Sequence, residues 1–199
     1  MSTPQISVRR RYCVHLAARL ASYDFSSFSR LLARGLRRDK LPREFFAEVI
    51  IHCSLTVGFP AMLEGLGRLA LLVPDAKPKS KRSNPKAGRA ILESIYGDQS
   101  EKLLVNLKRL QPELPSWILQ ETYGRVFTRS GLSIQEREIL NIVVLANQGL
   151  EKQLFSHLRG ALRVGLKRRQ IEVALTKTER LCGKNLKTSF EALATLAVR

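Results

Sequence analysis

Glu138 and His157 are the two side chains in this sequence whose type and spacing best suit the handling of a proton. An imidazole titrates near neutrality, and a carboxylate beside it orients the ring or holds it charged, which makes the two a general acid–base pair. Gly149 lies between them, eleven residues after Glu138 and eight before His157. With a turn at Gly149, the difference of three is a stagger of about 4.5 Å along antiparallel helices, at 1.5 Å per residue. Glu48 and His52 stand at i and i+4, so one helix face carries a second candidate pair. Each of these residues also has a plain structural reading. Arg137 and Glu138 fit ion pairing near a helix start, His157 fits a half-buried ring bonded to a backbone carbonyl, and Glu48–His52 fits a local contact. His15, the remaining histidine of three, has no motif around it.

The elements that must position these groups all read as helices. Val8 to Ala21 and Phe25 to Leu36 carry apolar residues at helical spacing, and Pro42 suits the first turn of a helix over Arg43 to Val57. Gly58-Phe59-Pro60 interrupts that helix, which resumes over Ala61 to Leu72. Further helices are expected over Ala87 to Tyr96, Ser100 to Leu110 and from Pro115-Ser116-Trp117 onward. Ser133-Ile134-Gln135-Glu136 has the form of a capping box, in which Ser and Glu satisfy each other's backbone amides. The run that follows, with Ile139, Leu140, Ile142, Val143, Val144 and Leu145, predicts burial on most sides up to Gly149. Glu151 to Val164 is the next helix, ended by Gly165. No hairpin turn punctuates the β-branched residues, so the fold class expected is all-α.

Composition narrows the function. The chain has 199 residues, 44% of them hydrophobic, and a formal net charge of +17. No continuous apolar run approaches the roughly 18 to 20 residues of a membrane span, and Met1 to Val8 has no basic-then-apolar signal pattern. Cys13, Cys53 and Cys182 are odd in number and far apart, which argues against a disulfide framework or a cysteine zinc site. These features lead us to expect a cytoplasmic protein that associates with no membrane. Much of the positive charge lies in Lys77, Lys79, Lys81, Arg82, Lys86 and Arg89, among Pro, Ser and Asn, as in a solvated linker. No aromatic residue interleaves them, so a solubilising loop is favoured over a nucleic-acid tail, though binding to nucleic acid stays open.

The motifs Tyr123-Gly124-Arg125-Val126, Gly131-Leu132-Ser133, Arg137-Glu138, Leu145-Ala146 and Gln153-Leu154-x-x-His157, with Ala161 and Gly165, resemble the carboxymuconolactone decarboxylase family. Glu48-Val49-x-x-His52 followed by Gly58-Phe59-Pro60-Ala61 resembles the second half of the same domain. Phe28-Ser29-Arg30-Leu31 is in turn similar to Phe155-Ser156-His157-Leu158, and Pro42 to Val49 to Lys167 to Val173. The resemblance implies two degenerate copies of a small helical domain: residues 1–73, a basic linker 74–87, and residues 88–199. By family habit it also implies a homotrimer or hexamer.

The family's alkylhydroperoxidase D-like branch uses a C-x-x-C dithiol. Spacing from Glu138 and His157 puts those cysteines at Leu150 and Gln153, so dithiol peroxidase chemistry is the least favoured reading. The decarboxylase branch needs no metal or organic cofactor, and none is expected here. Its chemistry implies catalytic roles for Glu138, His157 and His52, with Arg137 or Arg159 holding a small anionic lactone or keto acid. There are departures from the pattern: Tyr12 stands where the first copy's glutamate would fall, and Thr56 replaces a common tyrosine. The competing reading is a non-catalytic oligomeric scaffold able to bind polyanions.

Overall fold

The computed structural model describes residues 6–74 and 82–196, all of whose regular elements are helical. The all-α expectation is met. Residues 75–81, which carry Lys77, Lys79 and Lys81 of the basic linker, lie outside the described residues.

By contact the chain divides into two compact units, residues 1–76 with 131–199, and residues 77–130. The boundaries at 73 and 88 expected from sequence similarity mark proposed repeats, whereas these mark packing, and the two need not coincide.

The first unit contains α1 (Val8–Ala21), α2 (Phe25–Arg37), α3 (Arg43–Leu72), α7 (Ile134–Gln148), α8 (Glu151–Arg163), α9 (Arg168–Cys182) and α10 (Lys187–Thr195). Helix α7 is its axis: every residue from Glu136 to Asn147 is buried. It packs against α1, α3, α8 and α9, and α1 packs in turn against α2, α3 and α9. The start of α7 is fixed by the expected capping box, Ser133 Oγ accepting from Glu136 N at 3.2 Å and Glu136 Oε2 from Ser133 N at 2.8 Å. Arg9 then grips the same carboxylate through Nε (2.7 Å) and Nη2 (3.1 Å), with its guanidinium 4.3 Å above the Phe45 ring. Gly149 closes α7 at φ 71°, a left-handed conformation that costs glycine nothing.

Helix α3 is long and apolar enough by length and composition to cross a membrane. Here it is a core helix, burying Phe45, Phe46, Val49, Ile50 and Cys53 against α1, α2 and α7. Its continuity breaks at Gly58 (φ 83°, ψ 171°), two residues before Pro60, as the Gly-Phe-Pro sequence predicted.

The second unit contains α4 (Pro85–Tyr96), α5 (Ser100–Leu110), α6 (Leu114–Trp117) and a π-helical stretch, Ile118–Phe127. Helix α4 packs on the π-helical stretch at a glycine pair. A Cβ on Gly88 would come within 2.5 Å of Gly124 N, so neither helix can approach this closely with a side chain in between.

Candidate functional site

Residues from three helices, separated by up to 105 positions, meet at one side of α7, all within the first unit. Helix α7 contributes Arg137, Glu138 and Asn141, which share a face because residues three and four apart are neighbours on a helix. The Gly149 turn returns the chain antiparallel, so α8 brings His157 back beside Glu138, and α3 supplies His52 from the opposite flank.

His157 Nδ1 lies 2.9 Å from Glu138 Oε2. The Asn141 amide lies between the two histidines: Oδ1 is 3.0 Å from His52 Nε2, while Nδ2 is 3.5 Å from Glu138 Oε1 and sits 3.2 Å from His157 Nδ1. Behind them, Arg137 Nη1 is 3.2 Å from His52 Nδ1. A guanidinium only donates, so His52 Nδ1 accepts and its proton sits on Nε2, donated to Asn141 Oδ1. That fixes the amide, so Nδ2 donates to Glu138 Oε1. A carboxylate only accepts, so the short bond to Glu138 assigns the proton to His157 Nδ1.

The cluster is graded in burial. Glu138 and His52 are completely buried and Arg137 is 1% exposed, whereas the His157 side chain keeps 17% of its surface. Burial, and after it the adjacent Arg137 guanidinium, holds His52 well below the ordinary histidine range, so this ring is neutral. His157 alone among these ionisable groups reaches the surface. Its Nε2 finds no hydrogen-bond partner among the described residues.

Of the residues expected to share a site, Glu138, His157, His52 and Arg137 are brought together. Arg137 faces His52 from inside the protein, where it positions the ring. Arg159 is not brought in. It lies two residues past His157, about 200° around the helix at 3.6 residues per turn, and so leaves α8 on another side. Asn141 was missed: an asparagine in an apolar helix carries no motif, although its i+3 relation to Glu138 places it on the same face. Cys53, next to His52, is no nucleophile, since burial pushes its thiol to about 12. Among the described residues no group of three His, Cys, Asp or Glu side chains could hold a metal ion.

Fold and site together define an all-α protein with a buried carboxylate–histidine pair, and residues 112–195 match the model of the Carboxymuconolactone decarboxylase family. Two curated relatives extend the similarity beyond the domain. Peroxisomal protein 2 of Schizosaccharomyces pombe is 26% identical over 158 residues, covering 73% of this chain and 74% of its own length. Peroxisomal protein 2 of Saccharomyces cerevisiae is 28% identical over 160 residues, covering 64% of this chain and 56% of its own length. These names overturn the expectation of a cytoplasmic protein, which rested on an unremarkable N-terminus and reduced cysteines, neither of which distinguishes the cytosol from an organelle filled with folded protein.

Proposed function

We propose that this protein performs cofactor-free proton transfer on a small anionic lactone or keto acid, in the manner of a decarboxylase, inside the peroxisome. The observation that supports the reading is the His157 ring, pinned to Glu138 through Nδ1 with Nε2 turned to the surface. In the proposed step the bond to the substrate carboxylate breaks and carbon dioxide leaves. The electron pair passes into the conjugated carbonyl, and His157 Nε2 delivers a proton to carbon. Glu138 stabilises the imidazolium that precedes delivery, and the ring regains its proton from water. Neutral His52 and Arg137 hold Asn141, and through it the pair, in place without adding a proton of their own. An apolar surround weakens solvation of the departing carboxylate. The homotrimer or hexamer belongs to the same reading, and sedimentation of the 22.5 kDa chain tests it.

The deciding experiment follows γ-carboxymuconolactone absorbance with wild type, His157→Ala and Glu138→Ala. Turnover lost in both variants supports the assignment. A folded wild type that turns over neither this lactone nor a panel of small keto acids would sink it and leave the scaffold reading. Salt-sensitive polyanion binding, motivated by the charge of +17, would then be the property to measure.

A further inference from the structure

A second polar cluster lies on α1, outside the site above. Arg11, Tyr12, His15, Leu31, Arg34 and Asp39 line a cavity of about 200 Å³ where α1 faces α2. The offsets on α1 repeat those on α7: Arg11, Tyr12 and His15 are spaced like Arg137, Glu138 and Asn141. The packing repeats as well, α1 lying on α2 and α9 where α7 lies on α8 and α3. At the station where α7 carries an acid–base pair, α1 presents cations around an open space.

The charge there is not balanced from within. Asp39 accepts from the Tyr12 hydroxyl at 2.6 Å and lies 3.9 Å from Arg34 Nε, so the lining holds one carboxylate and the two guanidiniums of Arg11 and Arg34. The half-buried His15 registers the excess. Burial first, then Lys177 of α9, Arg19 and Arg11 of α1 and Arg34 of α2, all hold its ring below the ordinary range. Tyr12 stays protonated, its phenol pushed to about 12 by burial and by the bond to Asp39, so it cannot supply the missing negative charge. A cavity of this size takes a molecule of a few heavy atoms. Two forked guanidiniums and a neutral imidazole are the donors that a carboxylate or phosphate accepts from.

We propose that this cavity is a binding site for a small carboxylate or phosphate anion, separate from the proton-transfer site and built on the matching position of the other half of the unit. Arg11 and Arg34 supply the charge, and His15 donates from the floor. The site binds without reacting, because no ionised carboxylate holds a histidine in position there.

The test titrates succinate and, separately, inorganic phosphate into the full chain, following the His15 ring resonance by NMR. The expected result is a saturable shift of His15 with at least one of the two probes, and the stronger probe names the anion class. Combined Arg11→Gln and Arg34→Gln should weaken binding about tenfold or more, since charge-assisted bonds are lost. Arg37→Gln with Arg38→Gln, an equal change of charge on exposed residues of the same region, should leave it unchanged. His157→Ala should also leave it unchanged. A non-saturating shift with both probes, or equal weakening by both double variants with unaltered thermal unfolding, overturns the proposal. So does a loss of binding in His157→Ala.

Discussion

The α1 and α7 clusters share spacing and packing but differ in what they leave exposed. In the α7 cluster every charged group except one edge of His157 is sealed, and Glu138, His52, Arg137 and His157 each have a polar partner at hydrogen-bond distance. On α1 the cationic heads of Arg11 and Arg34 are exposed, and the acid that would pair a histidine is replaced by Tyr12. Burial with polar partners is what the proposed proton donor requires, whereas exposure with unmatched charge is what the proposed anion site requires. The comparison teaches that similar spacing and packing give different chemistry when the side chains differ, with Tyr12 against Glu138, His15 against Asn141 and Arg30 against His157.

The sharpest way to break the contrast is to remove each histidine in turn. His157→Ala should cut lactone or keto-acid turnover on the order of 100-fold or more, the usual worth of a positioned acid. His15→Ala should leave kcat within about twofold, because nothing on α1 orients that ring for transfer. A His15 variant as damaged as the His157 variant would mean that the two clusters work as one.

A second contrast is in stability. Arg137→Met deletes a buried charge that His52 and its neighbours are built around, and urea unfolding should record a loss of about 3 kcal/mol. Arg11→Met, at an exposed position, should fall within about 0.5 kcal/mol of wild type. Equal effects would show that the α7 cluster is not the better-organised of the two.

Acid should expose what the clusters share. Both His52 and His15 are held below the value of 6.5 that an unperturbed ring has. Below that pH the unfolded chain takes up protons that the folded rings refuse, so unfolding gains. The contribution is complete above pH 6.5 and is lost as pH falls from there toward the folded-state values. Melting temperature should therefore drop between neutrality and pH 5. His52→Gln should flatten the drop more than His15→Gln, since His52 is completely buried and His15 only half so. The smallest expected difference lies in the helix starts. Ser133→Ala breaks a reciprocal cap and should cost about 1 kcal/mol, while Ser7→Ala, which removes one 3.3 Å bond at the start of α1, should cost about half of that.

Much of the framework was legible because its signals are local. The Ser133–Glu136 box, the Gly149 turn and the Gly58-Phe59-Pro60 break each depend on residues a few positions apart, and each appears where the pattern puts it. The Glu138–His157 contact was also within reach, being set by helical rise and one turn. The rest of the site was not. His52 meets α7 across 89 positions through Asn141, and no periodicity encodes which asparagine in an apolar helix will face a histidine from elsewhere. Arg159 misled for the opposite reason, its nearness in sequence to His157 concealing a different direction around α8. Composition could not tell the cytosol from an organelle, and it was the relatives' names that corrected the expectation of a cytoplasmic protein.

The division of the first unit between residues 1–76 and 131–199 bears on how the chain is made. Helices α1 to α3 leave the ribosome with Leu16, Leu20, Val49 and Ile50 ready to be covered, yet α7 and α9, which pack on α1, have not been translated. At roughly 5 to 20 residues per second, the 110 positions from Leu72 to Cys182 take about 5 to 20 s to appear. During that interval the apolar faces of the nascent segment that α7 and α9 will cover stay open to water. A message truncated after codon 130 would leave them open permanently.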